Sequence, residues 1–286
     1  MNAAADSQLA ILMATYNGAP FLREQIDSLL RQTRRDFTLY VHDDGSSDGT
    51  TALLDAYAAQ HPCIIPLRYP PAGGACANFL SLLERVEADY YMFCDQDDVW
   101  EAEKVERMMA VMQSAERAHP DRAVIVHCDL QVVAADLSPL HPSLWRMAHI
   151  DADYLTTFHR VGPQSVVTGC AMLFNRQARQ CVRPAVPATY MHDAWVTLCV
   201  LRDGGLLLPL HEALVKYRQH GDNQVGAVAA SRYSLSWRLA HLRTYLARSR
   251  RTYAQAHAAG YSSLTRYLWN KISYIIWKKR RKDTST

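Results

Sequence analysis

The chain has 286 residues, 49% of them hydrophobic and 21% charged, so it can bury a large core as one domain or as one domain with an appendage. Its seven cysteines are scattered singly with no C-x-x-C pair, which excludes a zinc knuckle and a disulfide framework and fits a reducing cytosol. The net charge is +3, but residues 231–286 hold 13 Lys and Arg against one acid. We therefore expect an acidic body, residues 1–230, and a basic tail, residues 231–286, with separate roles.

The first ninety-odd residues alternate short apolar runs with helical patterns. The N-terminus lacks a basic region and its apolar run is short, so it predicts a first strand and not a signal peptide. No segment reaches the ~20 apolar residues of a membrane-spanning helix. The predicted strands are 8–13, 37–42, 63–69 and 89–94, and the predicted helices are 21–33, 48–60 and 78–86. Strands separated by helices indicate an α/β fold with a parallel sheet.

The second part of the body is less regular. Its pattern predicts strands at 123–133 and 166–174, a Pro- and aromatic-containing insertion at 138–164, a helix at 189–201 and a strand at 214–220. The tail predicts two amphipathic helices, 234–253 and 265–280, after a boundary near residues 227–231.

Three polar segments follow predicted strands, at residues 14–18, 43–48 and 95–98. Ligands of parallel α/β sheets bind beyond the carboxyl ends of the strands, so these segments should converge on one edge. The first segment lacks the G-x-G-x-x-G and G-x-x-x-x-G-K-[ST] patterns, which lowers support for a Rossmann dehydrogenase and for a P-loop NTPase.

The third segment carries three carboxylates within four positions, Asp95, Asp97 and Asp98. One interpretation is an acidic turn ahead of a helix, because Asp is common in turns. The other is a cation site, which would relieve the repulsion among the three charges. The spacing alone leaves both open.

Six segments in order carry a family resemblance. They are MATYNG (13–18), DDGSSD (43–48), DQDDVW (95–100), VTG (167–169), HDAW (192–195) and YRQHGDNQVGA (217–227). Together they resemble family 2 glycosyltransferases, especially bacterial rhamnosyltransferases of O-antigen and cell-wall polysaccharide synthesis, over roughly residues 8–230. The resemblance implies a GT-A fold: a mostly parallel central sheet flanked by helices, here with a C-terminal helical basic extension.

The resemblance makes Asp95-Gln96-Asp97 a D-x-D motif that binds Mg²⁺ or Mn²⁺ together with a nucleotide-sugar diphosphate. It implies Asp97 as the direct metal ligand, with Asp95 and His220 as further metal residues. Asp98 is then expected to cap a helix that starts near Trp100. For His220, a structural role is the alternative.

The residues that the resemblance assigns to the nucleotide sugar are Ala14, Tyr16, Asp44, Asn78, Asp95 and Arg218. It implies that Asp44 binds the base. We expect Tyr16 to stack on that base and Arg218 to pair with the diphosphate, because a guanidinium binds phosphate in a bidentate way. Asn78 would belong to a loop lining the base, although PPAG at 70–73 departs from the polar residue usual there. The alternatives for Asp44 and Tyr16 are a turn carboxylate and a core tyrosine.

The resemblance also implies that Asp193 is the general base of an inverting transfer; the alternative is an acidic residue that stabilises a helix N-terminus. The expected reaction moves L-rhamnose from dTDP-β-L-rhamnose to a lipid-linked glycan. A UDP- or GDP-hexose donor, or a non-catalytic glycan- or nucleic-acid-binding protein, remains the alternative.

The second tail helix combines tryptophans with clustered Lys and Arg, which predicts contact with an anionic membrane surface. Its alternatives are packing on the body and RNA binding. We expect a cytoplasmic protein, peripheral on the inner face of the cell membrane, with no nucleic-acid partner.

Overall fold

A computed structural model describes residues 8–220 and 242–283 of the chain. Its first part is a run of βαβ units with the bounds β1 Leu9–Thr15, α1 Ala19–Leu30, β2 Phe37–Asp43, α2 Thr50–Gln60, β3 Ile64–Pro66, α3 Ala75–Arg85 and β4 Tyr90–Asp95. The predicted strands and helices of this part are confirmed with ends displaced by a few residues, except that the strand predicted at 63–69 is confined to β3, residues 64–66.

The second part continues with β5 Val99–Trp100, α4 Lys104–Ala118, β6 Val124–Val133, β7 Pro139–His141, α5 Leu144–Met147, α6 Phe158–Val161, a 3₁₀ turn Gly169–Ala171, β8 Met172–Asn175, α7 Arg176–Cys181, α8 His192–Arg202 and β9 Leu206–Arg218. Two predictions were wrong in extent. The strand predicted at 166–174 is confined to β8, and the one predicted at 214–220 is the end of the longer β9.

The strands form one mixed sheet in the order β3-β2-β1-β4-β8-β6-β9-β5, with β7 beside β6. Strands β3, β2, β1 and β4 run parallel, as predicted. Strand β8 lies antiparallel between β4 and β6, and β9 runs parallel to β6. The carboxyl ends of β1, β2 and β4 therefore lie side by side at one edge.

Both faces of the sheet are covered. Strand β1 is buried along its whole length, as expected of a parallel strand between two helical layers. Its residues alternate between two apolar clusters, with Leu9, Ile11 and Met13 in one and Ala10, Leu12 and Ala14 in the other. Helices α1, α2 and α4 cover the first cluster, and α3 and α8 cover the second.

The tail supplies two further helices, α9 Leu242–Ala258 and α10 Leu264–Asp283, which pack against the body. Five side chains of the tail are buried in the second apolar cluster: Ala256 of α9, Ala259 and Tyr261 of the segment between the two helices, and Tyr267 and Tyr274 of α10. The predicted boundary at residues 227–231, and most of the predicted helix 234–253, lie outside the described residues. Within the described ranges, every helix is too short or too polar to cross a bilayer.

Candidate active site

The ends of three parallel strands bring the predicted polar segments together. In the strand register Ala14 lies beside His42 on one side and beside Asp95 on the other, and Thr15 pairs with Asp43. The side-chain hydroxyl of Thr15 donates to the Asp43 carboxylate over 2.9 Å. The expected convergence on one edge of the sheet is confirmed.

Gln96 ties the first of these loops to the third. Its side-chain oxygen accepts from the Tyr16 backbone N–H, and its amide nitrogen donates to the Tyr16 carbonyl, both over 2.9 Å. A Cβ on Gly18 would lie 2.1 Å from the Gln96 Oε1 atom, so a larger residue there would displace the Gln96 side chain from this contact. The Tyr16 side chain is 58% exposed and is therefore accessible to a ligand.

Asp44 closes the loop that follows β3. Its carboxylate accepts from the backbone N–H groups of Ala72, Gly73 and Gly74, at 3.1 Å for Gly73 and 2.6 Å for Gly74. Three backbone donors on one carboxylate fix the Pro-Gly segment beside the end of β2. The predicted contact of Asp44 with a base stays a prediction.

Asn78 does not lie in a ligand-lining loop. It is in helix α3 and is 1% exposed. Its side-chain oxygen lies 2.8 Å from the His42 Nδ1 atom, and its side-chain nitrogen donates to the His42 carbonyl over 3.1 Å. The prediction of a direct nucleotide contact therefore needs correction. Asn78 holds His42 at the end of β2, where His42 also stacks on Tyr69 at 3.5 Å.

The acidic segment groups Asp98 with Asp95. One carboxylate oxygen of each, together with the Cys170 thiol, lies within 4.8 Å of the others. Burial, followed by repulsion from Asp97 and Asp193, raises the pKa of Asp95 to about 7. Asp98 is fully buried, and burial followed by repulsion from Asp97 and Asp95 raises its pKa well above the usual range.

Asp98 is not the helix cap that was expected. Strand β5 follows it, and helix α4 begins at Lys104 with Glu103 as its N-cap. The Asp98 Oδ1 atom accepts from the Arg218 backbone N–H over 3.1 Å, whereas Oδ2 is buried and accepts no hydrogen bond among the described residues. Asp98 thus belongs to the acidic group itself.

A buried lysine lies behind this group. The Lys104 ammonium is fully buried, donates to the Cys170 carbonyl over 2.5 Å and lies 3.0 Å from the centre of the Trp100 ring. Burial lowers its pKa to about 8, against the attraction of nearby groups that include Asp98. Sequence reasoning missed Lys104, although a lysine in an otherwise apolar helical position was a visible signal.

Asp97 and His220 are brought together, as the resemblance implied. The His220 Nε2 atom and the Asp97 Oδ2 atom are 2.6 Å apart. The Arg218 guanidinium is 2% exposed and donates to the Asp97 carbonyl over 2.7 Å and to the Glu24 carboxylate. Arg218, at the end of β9, therefore links the acidic loop to Glu24 of α1. The predicted pairing of Arg218 with a diphosphate stays a prediction.

Asp193 lies in the first turn of α8, next to the acidic group. It is 4% exposed, and its carboxylate accepts from the N–H groups of Gly169, over 3.1 Å, and Ala194, over 2.6 Å. Burial raises its pKa to about 6. A Cβ on Gly169 would lie 2.6 Å from the His192 ring, so this glycine allows the turn to approach α8.

The donor set suits a hard divalent cation. Asp95 and Asp98 offer carboxylate oxygens close together, and the Asp98 Oδ2 atom lacks a hydrogen bond among the described residues. Mg²⁺ and Mn²⁺ prefer such oxygen ligands. Asp97 is near enough to raise the pKa of both, but it is not part of the closest group.

Comparisons with known proteins identify the class. Residues 10–182 match the profile of glycosyl transferase family 2. The dTDP-rhamnosyl transferase RfbG of Shigella flexneri is 26% identical over 230 residues, which cover 75% of this chain and 74% of that protein.

Two solved structures resemble the fold. The S. aureus TarS fragment 1–349 in complex with UDP-GlcNAc has a TM-score of 0.58 at 15% identity, over 78% of this chain and 61% of that one. The mannosyltransferase PcManGT of Pyrobaculum calidifontis, in complex with GDP-Man and Mn²⁺, has a TM-score of 0.56 at 16% identity, over 99% and 84%. The fold is thus the GT-A fold. Since the profile match spans more than half of the sequence, the chain belongs to glycosyl transferase family 2.

Proposed function

We propose that the protein is an inverting glycosyltransferase that transfers L-rhamnose from dTDP-β-L-rhamnose to a lipid-linked glycan during cell-surface polysaccharide synthesis. The observation that carries this proposal is the placement of Asp193. A buried carboxylate with a pKa of about 6 lies beside the acidic group at the ligand-binding edge of a GT-A sheet. A general base works best when its pKa is close to the working pH.

The residues divide the reaction between them. Asp193 takes the proton of the acceptor hydroxyl as that oxygen attacks the anomeric carbon, from the face opposite the nucleotide. Asp95 and Asp98 would hold the divalent cation, with Asp97 and His220 beside them. Such a cation would supply positive charge that neutralises the diphosphate leaving group. No covalent enzyme intermediate is required.

The nucleotide part of the donor has its own set of contacts. In the proposed site Tyr16 stacks on the base, and Asp44 accepts a hydrogen bond from it. The exposure of Tyr16 supports this assignment. The backbone of Ala14, at the end of β1 beside Asp95, borders the diphosphate.

The choice of rhamnose is supported by the similarity to RfbG, which is itself a dTDP-rhamnosyl transferase. A UDP or GDP donor is the second candidate, because TarS and PcManGT are structures with UDP-GlcNAc and GDP-Man. Purified protein should be offered dTDP-rhamnose, UDP-glucose and GDP-mannose with Mn²⁺, with Mg²⁺ and with EDTA. Metal-dependent turnover of dTDP-rhamnose is expected.

Each other result in this panel decides against part of the proposal. Turnover of UDP- or GDP-sugars alone would reject rhamnose. Equal turnover in EDTA would reject the cation. If none of the three donors is turned over, and if the protein binds RNA with an affinity that falls steeply with salt, a non-catalytic binding protein would be favoured.

The acceptor is proposed to reach the site from a membrane. Helix α10 has an outer row of exposed apolar side chains: Leu264, Leu268, Trp269, Ile272, Ile275 and Ile276. The second tryptophan of this helix, Trp277, instead stacks on Tyr154 of the body, with ring centres 4.6 Å apart. Basic residues follow the row in sequence, and each contributes ~1 kcal/mol near an anionic lipid surface.

A flotation assay with phosphatidylglycerol vesicles tests this surface. Ile272→Ser in the outer row should reduce the floated fraction. Leu246→Ser changes a similarly exposed apolar side chain on α9 and should float as the wild type does. Equal flotation of both variants and the wild type would reject the outer row as the contact. The proposed location is the cytoplasmic side of the cell membrane, as a peripheral protein.

A further inference from the structure

A tail residue contacts the backbone just ahead of the proposed base. Gln255 of α9 is 2% exposed, and its side-chain oxygen accepts from the N–H groups of Tyr190, over 2.8 Å, and Met191, over 3.0 Å. Its amide nitrogen donates to the Met191 carbonyl over 3.2 Å. The two residues it holds directly precede His192 and Asp193.

These bonds fix the backbone at a helix end that has no side-chain cap. Met191 is the N-cap residue of α8, and its side chain forms no capping hydrogen bond. Cap residues usually satisfy backbone groups with a polar side chain of their own. Gln255, 64 residues further along the chain, instead binds the N–H groups of the N-cap residue and of the residue before it, which precede the N–H groups of the first helical turn. The Tyr190 hydroxyl and the Thr252 hydroxyl, 2.9 Å apart, add a second link between the same segments.

The other side of Asp193 is fixed by the body. Its carboxylate bonds the Gly169 N–H over 3.1 Å, and Gly169 begins the turn whose next residue, Cys170, accepts from Lys104. The Asp193 carboxylate is therefore held between this turn and the backbone at the start of α8. Gln255 fixes the two residues, 190 and 191, that lead into α8.

We propose that Gln255 is a positioning residue for Asp193, so that helix α9 of the basic tail is part of the catalytic unit. The inference rests on the proposed role of Asp193 as the base. Displacement of a reacting group by about 1 Å can reduce turnover by on the order of 10²-fold. Loss of the Gln255 bonds should therefore lower kcat and leave donor binding unchanged, because the donor residues lie on other elements.

The test compares three variants with the wild type in the donor panel described above. Gln255→Met keeps the volume of the side chain and removes its hydrogen bonds. Gln255→Glu keeps an oxygen that accepts from Tyr190 and Met191, and it replaces the donor to the Met191 carbonyl with a second oxygen. Asn270→Ala removes tail hydrogen bonds to the Tyr261 hydroxyl and the Arg266 carbonyl, and it serves as the control for general loosening of the tail.

We expect Gln255→Met to lower kcat by about 10- to 100-fold with the donor KM within about twofold. Gln255→Glu, which keeps two of the three bonds, should recover part of this loss, and Asn270→Ala should match the wild type. Amide hydrogen exchange should quicken at Tyr190 and Met191 in Gln255→Met only. This readout does not depend on turnover.

Two results would overturn the inference. The first is that the wild type is active and Gln255→Met has the same kcat as the wild type. The other is an equal loss in Gln255→Met and Asn270→Ala, which would indicate a general effect of tail stability. An inactive wild type would instead reject the proposed function, and the exchange experiment would still report whether Gln255 holds the backbone at residues 190–191.

Discussion

Replacing Asp193 with Asn should make the protein more stable and far less active at the same time. Burial raises the pKa of this carboxyl from 3.8 to about 6. Each pKa unit corresponds to about 1.4 kcal/mol, so ionised Asp193 destabilises the fold by about 3 kcal/mol at pH 8. The neutral asparagine removes this cost.

Part of the gain is lost again in hydrogen bonding. The carboxylate accepts from two backbone donors, Gly169 and Ala194, whereas the asparagine oxygen faces only one of them. The lost bond costs about 1 kcal/mol. We therefore expect Asp193→Asn to stabilise the fold by about 1–2 kcal/mol at pH 8.

The stability gain should depend on pH with a defined sign. The folded protein holds the proton of Asp193 more tightly than the unfolded chain does, so the charge cost appears as the pH rises from about 4 to about 6. Urea unfolding at pH 8 and near pH 4 measures the difference. Near pH 4 the gain should vanish, leaving the variant slightly less stable.

Turnover should fall by about 10²–10⁴-fold in Asp193→Asn, as expected for loss of a general base. Asp203→Asn is the matched control, because Asp203 ends the same helix in an exposed ion pair with Arg202. A variant that is less stable at pH 8, or that turns over donor and acceptor at the wild-type rate, would refute the reasoning.

Three further predictions concern pH, the buried lysine and the loop contact. With saturating Mn²⁺, kcat should fall about tenfold per pH unit below about 6 as Asp193 takes up a proton, and a flat profile from pH 8 to 5 would contradict this. Lys104→Met should raise the free energy of unfolding in urea at pH 6 by about 2 kcal/mol, because burial lowers the pKa of Lys104 from 10.5 to about 8 and its charge therefore costs about 3 kcal/mol, of which the lost bond to the Cys170 carbonyl offsets about 1. The half-exposed Lys216→Met should change it by less than about 1 kcal/mol, and a loss of stability in Lys104→Met would contradict the reasoning. Gln96→Ala removes both bonds to the Tyr16 backbone and should raise the donor KM severalfold, whereas an unchanged KM would show that the loop holds its shape alone.

The first part of the fold could be predicted because short apolar runs alternate there with helical patterns. Strand β9 was predicted too short, since Pro209, His211 and Glu212 interrupt its apolar pattern while the sheet still accommodates them. A local sequence pattern therefore underestimates a strand that long-range pairing extends.

The sequence predicts the site residues that lie at the polar ends of strands. It does not predict the roles of residues whose partners are distant in the sequence. Asp98 could be taken for a cap because the sequence does not show where α4 starts. Asn78 could be taken for a ligand contact because its partner, His42, lies 36 positions away. Gln255 left no local signal, because its polar head acts on a segment 64 residues earlier.

The burial of tail tyrosines in the second apolar cluster has a practical consequence for handling the protein. Cutting the chain ahead of α9 would uncover the apolar surface that Tyr261, Tyr267 and Tyr274 now cover, and a large uncovered apolar patch promotes aggregation. A form that stays dispersed without detergent should instead keep both tail helices and carry polar replacements along the outer row, where the side chains already face away from the body.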